Sequence, residues 1–134
     1  PKHKETRMLA SVASICAGAS TGALLRWLLG TWFNHLWPSV PLGTLAANLV
    51  GGGLIGVAFA YFSMQPMLSP EWRLLVITGF LGGLTTFSTF SIEVVTAAQR
   101  GELASAAAIV LLHLAGSLAC TALGIASFNW LRAA

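Results

Sequence analysis

The segment Thr78-Gly79-Phe80-Leu81-Gly82-Gly83-Leu84-Thr85-Thr86-Phe87-Ser88-Thr89-Phe90-Ser91 packs glycines and hydroxyl side chains into an otherwise apolar stretch. Each glycine weakens a helix by roughly 1 kcal/mol relative to alanine, so Gly82-Gly83 predicts a break mid-membrane in the helix that carries them. Backbone carbonyls released at bilayer depth must be satisfied by protein, water or an ion. Broken helices in transporters use such carbonyls for cations and half-helix N-termini for anions. Close helix packing and back-bonding of hydroxyls would explain each residue singly. Their coincidence points to ion handling.

Phe87 and Phe90 are three apart and share a helical face, with Ser88, Thr89 and Ser91 beside it. A ring edge carries positive potential and can attract a small anion without a formal charge. Phe at this spacing also suits core or lipid contact. Thr44, Asn48, Gly52 and Gly56 form a stripe with four-residue spacing, and Asn48 is the amide deep in that apolar stretch. It should face a partner group or water, either tying helices together or donating N–H to an anion. His113, Ser117 and Thr121 make a similar polar line, which either faces water or joins helices. Ser14, Gly18, Gly22 and Arg26 form another; Arg26 is placed either to bind carbonyls or to concentrate anions. Glu93 is the acid lying well away from a loop, and an intramembrane carboxylate is a functional candidate.

Four apolar stretches must position these residues, at about 8–34, 42–64, 71–98 and 102–131 of a 134-residue chain. A crossing takes about 20 residues. Trp37-Pro38-Ser39-Val40-Pro41, Gln65-Pro66-Met67-Leu68-Ser69-Pro70 and Gln99-Arg100-Gly101 break them, and short turns predict antiparallel neighbours. The expected fold is an all-α membrane protein with four transmembrane helices, the third broken mid-membrane, forming a single domain over residues 1–134. Tryptophans fall mostly near the ends, as in an interfacial belt.

Composition excludes other classes. Hydrophobic residues make up 56% and charged residues 8%, against about 25% charged in soluble domains. A chain this small could not keep a soluble surface wet with so little charge. The net charge of +3 does not mark a nucleic-acid binder, because the basic residues are not gathered on one face. Lys2, Lys4 and Arg7 cluster as a membrane-proximal anchor ahead of an apolar run too long for a signal peptide. Lys2, Lys4, Arg7, Arg73 and Arg132 fall on the side of the termini, with Arg26 and Arg100 nearer the other side. Without the N-terminal tail the two sides are even, so insertion both ways round is expected. Cys16 and Cys120 read as small packing residues. No Ser/His/Asp set, phosphate loop, paired carboxylates or Cys/His cluster suggests an enzyme.

The runs Gly18-Ala19-Ser20-Thr21-Gly22-Ala23-Leu24-Leu25-Arg26-Trp27, Gly43-Thr44-Leu45-Ala46-Ala47-Asn48-Leu49-Val50-Gly51 and Gly79 to Phe90 resemble the signatures of the Fluc (CrcB) fluoride channels. The resemblance implies an antiparallel, dual-topology homodimer in the bacterial inner membrane that passes fluoride passively out of the cytoplasm. Carried over by position, it implies that Phe87 and Phe90 offer ring edges to fluoride and that Asn48 lines the pore. Ser88, Thr89 and Ser117 would belong to a polar track. The backbone carbonyls of Gly82 and Thr85 from both subunits would hold a structural Na⁺ at the dimer interface. Arg26 and Glu93 fall at vestibule or structural positions. The rival class, a proton-coupled exporter of the small multidrug resistance kind, relies on a carboxylate deep in its first helix, and none lies between Met8 and Asn34.

Overall fold

The computed structural model describes residues 2–134. The side chain of Lys2, counted in the basic cluster, lies outside the described residues. Helix α1 spans Lys2–Phe33 and α2 spans Leu42–Ser63. The third apolar stretch comprises α3 (Pro70–Arg73), a π-helical segment Leu74–Leu81, α4 (Gly82–Leu84) and α5 (Phe87–Gln99). Helix α6 spans Leu103–Ala133. Four stretches, Lys4–Phe33, Leu42–Ser63, Pro70–Gln99 and Leu103–Ala133, are long and apolar enough to cross a membrane. The 22 residues of α2 rise about 33 Å, matching a hydrocarbon core of about 30 Å. This is an all-α, multi-pass membrane protein. Helix α1 begins earlier than the apolar pattern suggested, since its basic first turns continue the helix beyond the apolar run.

Glycines decide how closely the helices approach. Helix α1 lies along the π-helical segment and α4, and α2 lies along α6. In the first pair, Gly18 and Gly22 face the backbone of Leu75, Gly79 and Phe80, while Gly79 and Gly83 face Ile15, Gly18 and Ala19. In the second, Gly52 and Gly56 meet Ser117 and Thr121 across the interface, and Gly124 meets Gly53. Lipid-soluble helices gain no hydrophobic drive from each other, so such backbone proximity is what holds them. A Cβ at Gly83 would stand 2.5 Å from the Ala19 carbonyl oxygen, whereas one at Gly53 would meet only the Cys120 carbonyl at 3.8 Å. Gly83→Ala is therefore expected to destabilise the fold by about 1–3 kcal/mol through overpacking. Gly53→Ala should keep or slightly raise the thermal-unfolding midpoint in detergent, since alanine favours the helix and meets no clash, and equal midpoints for the two variants would contradict this packing account.

The interruption of the third stretch falls later than expected. Gly82 is helical (φ −64°, ψ −35°), and Gly83 continues the same short helix. The chain leaves the helix at Thr85 (φ −82°, ψ 155°) and Thr86 (φ −150°, ψ 118°), both extended. Gly83 provides close contact with α1 rather than conformational freedom, and the break is made by polar groups described below. Upstream, the eight-residue π-helical run is long for a conformation that is mostly found as single-turn bulges.

Apolar side chains such as Met8, Leu9, Leu111, Leu118 and Leu123 point outward, as a lipid-facing surface requires. All five tryptophans except Trp27, which lies further in, sit close to the ends of the spans, and all are exposed. At the end carrying the termini, Arg73 Nη2 donates to the Phe62 carbonyl at 3.0 Å and its guanidinium lies 5.8 Å from the Phe62 ring. This closes the C-terminal end of α2.

Candidate functional site

A cleft of about 480 Å³ opens between α2, the interrupted third stretch and α6, and its lining is mostly apolar. Asn48, Thr85, Thr86, Phe87, Phe90, His113 and Ser117 contribute to its wall, together with Gly82. Two expected site residues, Phe87 and Phe90, thus meet Asn48 and Ser117 in one place.

Asn48 organises the break. Its Oδ1 accepts the Thr86 N–H at 2.7 Å and its Nδ2 donates to the Thr86 carbonyl at 3.0 Å. A backbone N–H can only donate, so these two bonds fix which end of the amide is oxygen. Nδ2 also lies 2.9 Å from His113 Nδ1. Since Nδ2 is a donor, His113 Nδ1 accepts, and in the neutral ring the proton sits on Nε2. His113 is 3% exposed and Nε2 is buried with no protein partner. The His113 and Phe90 rings lie 5.0 Å apart at 31°, and the Phe90 and Phe87 rings 5.3 Å apart at 55°. Phe90 is buried, whereas Phe87 is 72% exposed on the open side of the cleft.

Thr86 caps α5. Its Oγ1 accepts the Thr89 N–H at 3.1 Å, donates to Thr89 Oγ1 at 3.0 Å and lies 3.2 Å from Ser88 Oγ. The hydroxyls of Ser88 and Thr89 are therefore gathered around Thr86. Both diversions free carbonyls. The Thr86 N–H would close a helical turn on Gly82, and the Thr89 N–H would close one on Thr85; instead they go to Asn48 and to the Thr86 hydroxyl. Gly82 and Thr85, both in the cleft wall, are thus left without their regular helical donors. Carbonyl oxygens of this kind suit a hard monovalent cation. Among the described residues no cluster of His, Cys, Asp or Glu could hold a metal.

Arg26 does not reach into the cleft wall. Its Nε donates to the Gly83 carbonyl at 2.9 Å, tying α1 to the short helix before the break. Glu93 also lies outside the wall: Thr44 Oγ1 donates to its Oε1 at 2.6 Å, one turn from Asn48 along α2. Thr121 Oγ1 donates to the Gly52 carbonyl at 3.0 Å, so that part of the α6 polar line joins helices. Ser117 supplies wall beside it.

Sequence reasoning singled out neither Thr86 nor the meeting of His113 with Asn48 and Phe90. A Thr is a preferred residue just ahead of a helical run, and that signal could have marked Thr86 as a cap. The His113 contact joins residues 65 apart on different helices, and no spacing rule could have found it.

Comparison with known proteins agrees in extent. A fluoride-specific ion channel FluC from Chromobacterium violaceum is 61% identical over 125 residues, covering 93% of this chain and 99% of the relative. That from Pseudomonas paraeruginosa is 59% identical over 124 residues (92% and 98%), and that from Burkholderia lata 57% over 128 (95% and 100%). Residues 13–125, which include the second and third spans whole, most of the first and fourth, and every side chain of the cleft, match the family described as CrcB-like protein, Camphor Resistance (CrcB), and the chain belongs to that family.

Proposed function

We propose that this protein is a fluoride-selective ion channel, not an enzyme, giving passive fluoride efflux across the bacterial inner membrane and so limiting cytoplasmic fluoride toxicity. The observation that carries this reading is the cleft, which brings two phenylalanine rings together with neutral hydrogen-bond groups and no formal charge. Relatives bearing the name fluoride-specific ion channel FluC support it over nearly the whole chain.

Fluoride is small and tightly hydrated, so it crosses only where donors replace its water, and neutral donors let it leave again. Ring edges of Phe87 and Phe90 supply positive potential without a charge. Ser88, Thr89 and Ser117 supply hydroxyls. Asn48 has both amide hydrogens engaged, so it turns one to fluoride only by releasing a bond. The bond to His113 is the one it can give up without undoing Thr86.

The working unit in this reading is an antiparallel, dual-topology homodimer. The exposure of Phe87 supports it, since one chain leaves the cleft open on that side. In the dimer, the freed carbonyls of Gly82 and Thr85 from both subunits would hold a structural Na⁺, which neutralises carbonyl dipoles that would otherwise face each other across the interface.

Purified protein reconstituted in liposomes, followed with an ion-selective electrode, tests the function. Rapid fluoride efflux, much faster than chloride and independent of a proton gradient, is expected. Slow movement that requires a proton gradient would favour the exporter class instead.

A further inference from the structure

A second polar cluster lies at the end carrying the α1–α2 connection, outside the cleft wall. Helix α2 follows Pro41, whose side chain offers no acceptor to the first turn. Asn34, just beyond α1, fills that place: its Oδ1 accepts the N–H groups of Gly43 at 2.8 Å and Thr44 at 3.0 Å. These are the orphan donors that a capping side chain normally serves. Because backbone N–H groups only donate, the two bonds identify the oxygen, and Nδ2 must face Thr44 Oγ1, 3.4 Å away. A hydroxyl that faces an N–H turns its lone pair there and its own hydrogen elsewhere. That hydrogen goes to Glu93 Oε1 at 2.6 Å. The other oxygen of Glu93 is buried with no protein partner. Thr44 lies one turn before Asn48, and Glu93 lies three residues past Phe90, so the cluster adjoins the cleft.

We propose that Asn34 is a positioning residue for fluoride access: by setting the direction Asn34 to Thr44 to Glu93, it holds the Glu93 carboxylate on Thr44 and away from the anion path. This rests on the fluoride-channel reading. A carboxylate loose beside the rings would repel the ion in a medium where charges are poorly screened. The amide therefore does two separable things: its oxygen caps α2, and its nitrogen decides which way the Thr44 hydroxyl points.

Asn34→Asp separates them. The carboxylate keeps both acceptors for Gly43 and Thr44, and a negative side chain suits a helix N-terminus. It cannot donate, so it competes with Glu93 for the Thr44 hydroxyl. Fluoride efflux from liposomes is expected to fall about tenfold, the effect of one lost hydrogen bond to a charged group. Assembly and the thermal midpoint should be retained. Added to Thr44→Val, which has no hydroxyl to direct, Asn34→Asp should cause no further loss. Parent-level efflux in Asn34→Asp, an additive loss on Thr44→Val, or failure of Asn34→Asp to fold would each overturn the proposal. A flux-free measurement keeps it apart from the channel reading. The thermal-midpoint coupling between Thr44→Val and Glu93→Leu should be present in the parent and absent in the Asn34→Asp background. If the parent moves no fluoride, the channel reading falls, and persistence or loss of that coupling still decides the role of Asn34.

Discussion

Phe87→Ile is expected to lower fluoride efflux by about a hundredfold or more, equivalent to a barrier increase of about 3 kcal/mol. The reason is electrostatic. An isoleucine of similar bulk presents only methyl and methylene groups, with no positive edge to replace water around a partly dehydrated anion. Phe87 is the cleaner of the two rings to change, because it is 72% exposed in the single chain and supports little of the core. Phe90→Ile should be as damaging to efflux but also loosen the fold, since Phe90 is buried among Val40, Leu45, Ala97, Ala106 and Ile109 and lies against His113. The discriminating measurement is efflux per assembled protein, with size-exclusion profiles showing that assembly survives. Parent-like flux in either variant would remove the rings from the path.

The pattern of the chain reveals its architecture more readily than its site. The four spans are legible because apolar length is imposed by the bilayer, and prolines at 38, 41, 66 and 70 mark two of the three turns. The pairing of Phe87 with Phe90 is legible from helical spacing, and their rings do lie together. The position of the break is not legible. Gly82-Gly83 announces weakness, yet both stay helical, Gly83 is used for close contact with α1, and the helix opens where a side chain from α2 outcompetes the helical hydrogen bonds. Such a competition depends on which residues of different helices meet, and periodicity within one helix carries no information about that. The same limit hid the partners of Arg26 and Glu93. Arg26 allowed carbonyl binding or anion attraction and Glu93 stood as a functional carboxylate, and the groups that engage them, a carbonyl and a hydroxyl, lie 57 and 49 residues away.

Asn48→Asp should have the largest combined effect on efflux and stability. The amide nitrogen of Asn48 faces two acceptors, the Thr86 carbonyl and His113 Nδ1. Replacing it with a carboxylate oxygen sets acceptor against acceptor at the Thr86 carbonyl and adds a charge that repels fluoride. Efflux is expected to become undetectable, with a lower thermal midpoint than Asn48→Ala. The alanine variant leaves the buried N–H and C=O of Thr86 without Asn48, which costs about 1–3 kcal/mol for each group that finds no new partner. One of them does have an alternative. The Thr86 N–H, once released, can return to the Gly82 carbonyl and close the helical turn that Asn48 keeps open. That carbonyl would then no longer be free for a cation. Asn48→Ala should therefore lose not only efflux but also any dependence of thermal stability on Na⁺ that the parent shows, compared with K⁺ or choline at the same ionic strength. A Na⁺-dependent midpoint that survives in Asn48→Ala would show that the freed carbonyls owe nothing to this amide; its loss would tie the anion path and the cation site to one side chain.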